Sequence, residues 1–345
     1  MIAKVLAATV AVVAVSSGAV GALAVYGTLS NAGPGIHLTH AAGASGAPAA
    51  PSVGPIDGGV NLLLAGSDTR TGQVGFQTKS QLAGSSGIGN NDVTMLLHVS
   101  ADHTSATVVS FPRDLVSIPL CGKGISSAML NSTLSRGLSC TVQTIEKMTG
   151  LTIPYAGVIT FDGVTGMSNA VGGVTVCLAT AVKDPYTDPQ LDLAAGQQTL
   201  VGSTALSFLR SRHGVGDGSD TLTNPTTLVS IALALKGIDL SKIVFVQYPT
   251  GSDPADPNRV VPLLAPAAAL AAALQSDQPI SLTGKLGRAA IADPITAVPV
   301  TPTPSGSSAP SAAATPAPSS IALPSTISGQ NAAQTTCTQG FSNKK

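Results

Sequence analysis

Between about residues 58 and 275, short apolar or β-branched runs alternate with segments whose apolar residues recur three and four apart. That alternation restricts the chain to a sheet with helices packed on it. Val60–Ala65 (VNLLLA), Thr94–Val99 (TMLLHV), Ala106–Phe111 (ATVVSF), Gly173–Leu178 (GVTVCL) and Ile243–Tyr248 (IVFVQY) are bounded by Gly, Asp, Ser or Pro and read as strands of one sheet. Residues 140–149, 161–171, 203–210 and 228–235 have the spacing of amphipathic helices, and Gly150, Gly172 to Gly173 and Gly237 stop three of them. The interval from Ser100 to Ser105 suits a hairpin between the second and third strands, which makes the sheet mixed. The fold class expected is a three-layer α/β/α domain with a mixed central sheet, spanning residues 58–275.

Both ends are different in kind. Ile2 to Leu29 carries a single charge, Lys4, and is long enough to cross about 30 Å of hydrocarbon. Residues 1–30 therefore read as an N-terminal transmembrane helix, with a signal peptide cleaved near Ala19 or Ala22 as the alternative. Either reading exports the chain beyond Ser30, and Lys4 fits a cytoplasmic N-terminus. The expected location is the cell membrane, single-pass, with the bulk of the chain extracytoplasmic. Residues 31–57 have the composition of a flexible linker, and residues 276–345, rich in Pro, Ala and Ser, are expected to be a mostly disordered tail.

All four cysteines, Cys121, Cys140, Cys177 and Cys337, fall on the exported side, where disulfides persist. No CxxC pair exists, so disulfides are expected rather than zinc. Composition leaves all three pairings open. The closeness of Cys121 to Cys140 predicts that these two bridge each other, which leaves Cys177 for Cys337 and ties the tail back to the domain. With 17 basic against 17 acidic residues there is no cationic surplus to neutralise a phosphate backbone, and a nucleic-acid partner is not expected.

No GxSxG elbow, P-loop or HExxH helix is present. His98 stands mid-strand and reads as a packed residue rather than a ligand. What stands out is the placing of charge at strand ends: Asp68 and Arg70 in GSDTR, Asp92 in NNDVT, Arg113 and Asp114 in FPRD, then Arg210 and Arg212 in RSRH with Asp220 beyond. Ligands of α/β sheets bind beyond the carboxyl ends of strands. Two carboxylates there suit Mg²⁺, and arginine forks suit phosphate oxygens, so the group points to phosphoryl transfer.

NLLLAGSDTR, DVTMLLHVSADHTSATVVSFPRDLVSIP, LNSTLSRG, CTVQTIEKMTGLTIPYAGVITFDGVTGMSNAVGGVTVCL and LAAGQQTLVGSTALSFLRSRHGVGDGSD occur in the order in which the LytR-CpsA-Psr family carries their counterparts. The resemblance covers about residues 60–240. It implies a membrane-anchored, Mg²⁺-dependent phosphotransferase that attaches polyprenyl-pyrophosphate-linked glycopolymer to peptidoglycan in cell-wall biogenesis. By the same resemblance Asp68 and Asp92 would be the metal carboxylates, Asp68, Arg113, Arg210 and Arg212 the catalytic group, and Arg70, Asp220 and Asn131 substrate-binding residues. The chain departs from the family pattern where Asn90 and Asn91 replace an Arg-Ser pair, and at Thr223 and Thr227, where Arg and Gln are usual. A catalytically weakened paralogue that binds lipid-linked glycan or scaffolds envelope assembly is the alternative these departures imply.

Overall fold

The computed structural model describes residues 38–41, 58–76, 78–83, 85, 87–211, 238–286, 290–292 and 320–339. All of these except Leu38 belong to one unit, residues 39–345. The expected anchor at 1–30 and the helix expected at 228–235 lie outside the described residues. Among the described residues no helix is long and apolar enough to cross a membrane.

The strands used below are β1 (Val60–Ser67), β2 (Asn91–Val99), β3 (Ala106–Phe111), β4 (Tyr155–Ile159), β5 (Val174–Leu178), β6 (Gly196–Leu200), β7 (Ile243–Gln247), β8 (Thr250–Asp253), β9 (Asp256–Pro262), β10 (Ala290–Ala292), β11 (Gly329–Asn331) and β12 (Thr336–Thr338). The helices are α1 (Lys79–Leu82), α2 (Leu138–Thr149), α3 (Phe161–Ala170), α4 (Gly202–Arg210) and α5 (Leu264–Gln275). The central sheet has six strands in the order β11-β7-β3-β2-β1-β4. It is mixed as expected: β2 runs antiparallel to both β1 and β3, with Val99 opposite Ala106 across the hairpin, while β4 is parallel to β1 and β7 to β3.

The middle strands are buried on both faces, and all six residues of β3, Thr107 and Ser110 included, are buried rather than alternating in and out. One face gathers Met95, Leu97, Val99, Ala106, Val108, Ile243 and Phe245. The other carries Leu63, Leu96 and Val109, fully buried. Helix α2 packs beneath β1 and β4 and against α5, burying Leu138, Val142 and Ile145 at spacings of one and two turns. Helices α3 and α4 pack against each other, and Val164, Leu206 and Leu209 line one cavity with Val93 and Ile159 of the sheet.

Two expectations are corrected. The run at 173–178 is a strand, but it does not join the central sheet. Strand β5 pairs with β6 and β12 in a second sheet of four strands, its order β6-β5-β12-β10. There Val176 and Leu178 bury against Val182, Leu191, Leu200, Ala205 and Phe208. An apolar run shows that a strand is buried without showing which sheet buries it. The edge of the central sheet is taken instead by β4, whose residues are all half-buried and so carry no alternation to read.

The second correction concerns the stretch 276–345. Residues 320–339 return to the domain: β11 extends the central sheet antiparallel to β7, with Val244 opposite Asn331. Gly329 makes this approach possible, since a Cβ there would stand 2.3 Å from the carbonyl oxygen of Phe245. Both expected disulfides are formed, Cys121–Cys140 with Cα atoms 4.1 Å apart and Cys177–Cys337 with Cα atoms 4.5 Å apart. Cys337 is fully buried between β5 and β10.

Candidate functional site

β1 and β2 are neighbours, yet 23 residues separate Ser67 from Asn91, and this excursion folds back on the strand ends. Asp68 N–H donates to the Asn90 carbonyl at 3.1 Å, and Asn90 N–H donates to Asp68 Oδ1 at 2.6 Å. The Ser67 hydroxyl donates to the Ile88 carbonyl, and Thr69 Oγ1 donates to the Gly87 carbonyl at 3.0 Å. Gly89, at φ +79°, is what lets the two sides of the loop close. A Cβ there would lie 2.6 Å from both Asp68 Oδ1 and the Thr69 nitrogen.

Arg113 stands two residues beyond the end of β3, so the antiparallel pairing of β2 and β3 brings it to the start of β2. Its Nη1 donates to Asp92 Oδ1 at 3.0 Å and its Nε to Asp114 Oδ2 at 3.4 Å. Partial burial pulls the guanidinium pKa down, but the charges of Asp92 and Asp114 outweigh it and the net shift is upward, so Arg113 stays protonated.

Arg210 closes α4, and its guanidinium carbon stands 4.4 Å from the Phe161 ring centroid and 5.7 Å from that of Phe76. Arg70 approaches Phe76 from the same loop, also at 5.7 Å, and donates Nη1 to the Gln81 carbonyl at 2.9 Å. Phe76 and Phe161 lie 5.6 Å apart, so two arginines are positioned by one aromatic pair.

Asp68, Arg70, Asp92, Arg113, Phe161 and Arg210 line one cleft of about 470 Å³. Asp68, Arg70, Ser85, Asp92, Arg113 and Arg210 form its polar part; Val93, Ile159, Phe161, Val164, Leu206 and Leu209 form its apolar wall. Three arginines against two aspartates favour an anionic head group, and the wall favours a hydrocarbon chain.

The donor set fits a hard divalent cation. Two carboxylates from adjacent strand ends open into the cleft, and Mg²⁺ ordinarily takes one or two such ligands and fills its shell with water and phosphate oxygens. Among the described residues no group of three or more His, Cys, Asp or Glu gathers anywhere, so this pair is not part of a denser cage.

Of the residues singled out in the sequence, Asp68, Arg70, Asp92, Arg113 and Arg210 are brought together. Arg212 and Asp220 lie outside the described residues, as do Thr223 and Thr227. Asn131 is not among the residues lining the cleft; its N–H donates to the Arg113 carbonyl at 3.0 Å, so it steadies the backbone of a cleft arginine. His98 is packed as expected, with Nδ1 2.8 Å from Asn61 Oδ1 and Nε2 3.2 Å from Asp277 Oδ1. Sequence reasoning missed Phe76, Phe161 and Ser85. Phe161 had a local signal, because Thr160 before it caps α3 by accepting from Gly163 N–H at 3.3 Å. Phe76 had none, since its partner is 85 residues away.

Comparison with known proteins agrees with the sequence pattern. The profile of the LytR_cpsA_psr family matches residues 36–222. The cell wall biosynthesis protein LcpA of Corynebacterium glutamicum is 30% identical over 229 residues, 52% of this chain and 44% of LcpA. The polyisoprenyl-teichoic acid–peptidoglycan teichoic acid transferase TagU of Bacillus cereus is 30% identical over 124 residues, 36% of this chain and 39% of TagU. The matched stretch thus spans less than half the length of either curated relative. Among solved structures, that of Bacillus subtilis TagV is similar at 19% identity and a TM-score of 0.48, over 65% of this chain and 98% of TagV.

Proposed function

Since the chain belongs to the LytR-CpsA-Psr family, whose profile covers residues 36–222, we propose that it is an extracytoplasmic, Mg²⁺-dependent phosphotransferase. Its donor is a polyprenyl-pyrophosphate-linked glycopolymer, its acceptor is peptidoglycan, and residues 1–30 anchor it in the membrane. The single observation that carries this reading is the cleft, which joins three arginines and two aspartates to a continuous apolar wall. A diphosphate on an isoprenoid chain matches both halves. The name of the Bacillus cereus relative, a teichoic acid transferase acting on peptidoglycan, supports the same substrate class.

The chain's own residues divide the work by chemistry. Val93, Ile159, Val164, Leu206 and Leu209 take the first isoprene units and keep water from the bridging oxygen. Arg113 and Arg210, assisted by Arg70, hold the phosphate oxygens and stabilise the charge that grows on them as the bond to the leaving group lengthens. Asp68 and Asp92 would hold Mg²⁺, which when bound supplies further charge neutralisation to the diphosphate. An acceptor hydroxyl oxygen bonds to the sugar-proximal phosphorus, the bridging P–O bond breaks, and polyprenyl phosphate departs. Asp68 is held by Asn90 N–H at 2.6 Å rather than by an arginine.

Asn90 also favours the second reading, that of a weakened paralogue, because it brings an amide where the family pattern has a cation. Transfer of a radiolabelled glycan from its polyprenyl diphosphate to peptidoglycan by the full chain separates the two. Metal-dependent transfer abolished by Arg113→Ala supports the enzyme. Lipid binding without transfer assigns the binding role instead.

A further inference from the structure

A second groove, about 960 Å³ in volume, adjoins the first, and Arg113 lines both. Its floor is Tyr248, whose ring stacks on Phe111 with centroids 4.9 Å apart. One wall is the hairpin of β8 and β9, fixed in place by Val260 N–H donating to the Asp114 carbonyl at 3.2 Å and Val116 N–H donating to the Val260 carbonyl at 2.9 Å. The other wall is the returning C-terminal segment, through Thr326 and Ser328.

The two cavities differ in charge. The groove holds two arginines and two aspartates, each cation matched to an anion: Arg113 to Asp114 at 3.4 Å, and Arg259 to Asp256 at 3.1 Å. It is electrically balanced, its lining is more polar than apolar where the cleft's is the reverse, and it is rich in amides and hydroxyls, including Gln247, Asn258, Thr250 and Ser252. Such a surface suits a neutral ligand with many hydroxyls and discriminates against a diphosphate or a lipid chain. Position adds to chemistry. In an in-line displacement the nucleophile enters opposite the leaving group, while the sugar oxygen on the reacting phosphorus is equatorial and projects to the side of that axis. With the isoprenoid on the side of α3 and α4, the far side of Arg113 is this groove.

We propose that the groove between β8, β9 and residues 326–328 is a glycan-binding subsite that presents pyranose rings to the phosphoryl group held beside Arg113. The inference rests on the phosphotransferase reading for the order of substrates, while the site itself is read from its own lining. The glycan belongs either to the peptidoglycan acceptor or to the sugar end of the donor.

The test uses the full chain and two exposed substitutions that leave the cleft untouched, Asn258→Ala and Ser252→Trp. Affinities are measured for bare polyprenyl diphosphate, for the same lipid bearing one N-acetylhexosamine, and for a soluble peptidoglycan disaccharide. Both variants should bind bare lipid as wild type does and lose sugar binding by about fivefold or more, the worth of one or two hydrogen bonds. Loss confined to the disaccharide assigns the groove to the acceptor. Loss confined to the advantage of the sugar-bearing lipid assigns it to the donor. If bare lipid binds and neither sugar probe senses the substitutions, the subsite is wrong and the phosphotransferase reading stands. Failure of wild type to bind bare lipid, with the disaccharide still sensitive to both variants, overturns the phosphotransferase reading and leaves a glycan site.

Discussion

Arg113 Nη1 stands 3.0 Å from Asp92 Oδ1, which ties the end of β3 to the start of β2 through a charge-assisted hydrogen bond between two cleft residues. Both side chains keep about a third of their surface open, 33% and 29%, so the pair is accessible to ligand and contributes little to folding. Arg113→Ala should lower transfer by about 10²- to 10³-fold, the usual effect of removing one preorganised transition-state donor. The melting temperature should move by only a few degrees. Arg113→Lys should recover part of the rate, since it restores charge but not the planar fork. Steady-state kinetics and thermal denaturation of the two variants check this.

Gly89 acts on the site through space alone. Its Cβ, if present, would stand 2.6 Å from Asp68 Oδ1, in a backbone conformation at φ +79° that costs an L-residue about 1–2 kcal/mol. Gly89→Ala should push the loop off Asp68 and weaken metal-dependent binding of polyprenyl diphosphate by tenfold or more. Far-ultraviolet circular dichroism should remain that of the wild type.

His98 gives the fold a pH dependence with a definite sign. Burial holds its pKa below the ordinary 6.5, and the neighbouring Asp277 only partly offsets this. The neutral form is therefore favoured in the folded state, and the unfolded chain takes up the proton first. Stability contributed here is complete above about pH 6.5 and is lost as the pH falls from there toward the lowered folded value. Urea midpoints at pH 5.5 and 7.5 should differ more for wild type than for His98→Gln, which still meets Asn61 and Asp277 without titrating.

The two disulfides should contribute unequally. On the chain-entropy account, a loop closed over 19 residues is worth about 3 kcal/mol and one closed over 160 residues about 5 kcal/mol. Cys337→Ser should therefore destabilise more than Cys121→Ser. It should also loosen β11 from β7, raise hydrogen exchange at Phe245 and Val246, and disturb the groove formed by Thr326 and Ser328 before the cleft. Hydrogen exchange resolved by peptide checks the order.

The elements legible in the sequence are those whose signal is local. The β2–β3 hairpin is legible because Ser100 to Ser105 is too short for anything else, and the cleft charges are legible because they interrupt a chain that has few. Strand β4 is hidden by Ala156 and Gly157 and by half-burial along its whole length. Helix α5 is hidden by Ala-rich composition, which gives it no polar face to contrast with an apolar one. Residues 320–339 are hidden for a different reason. Their order comes from Cys177, Phe245 and Gly284, partners distant in sequence, while the surrounding composition is that of a solvated tail. The cleft is readable through its charges and not through its aromatics, since only tertiary contact joins Phe76 to Arg70 and Arg210.

On the proposed function, Asp68 and Asp92 serve a diphosphate through a divalent cation. Native mass spectrometry of the full chain with polyprenyl diphosphate, with and without Mg²⁺, for wild type and Asp68→Asn, tests it most directly. Retention of lipid by wild type that requires Mg²⁺, and its loss in Asp68→Asn, is the predicted result. Retention indifferent both to the metal and to the substitution would contradict the account.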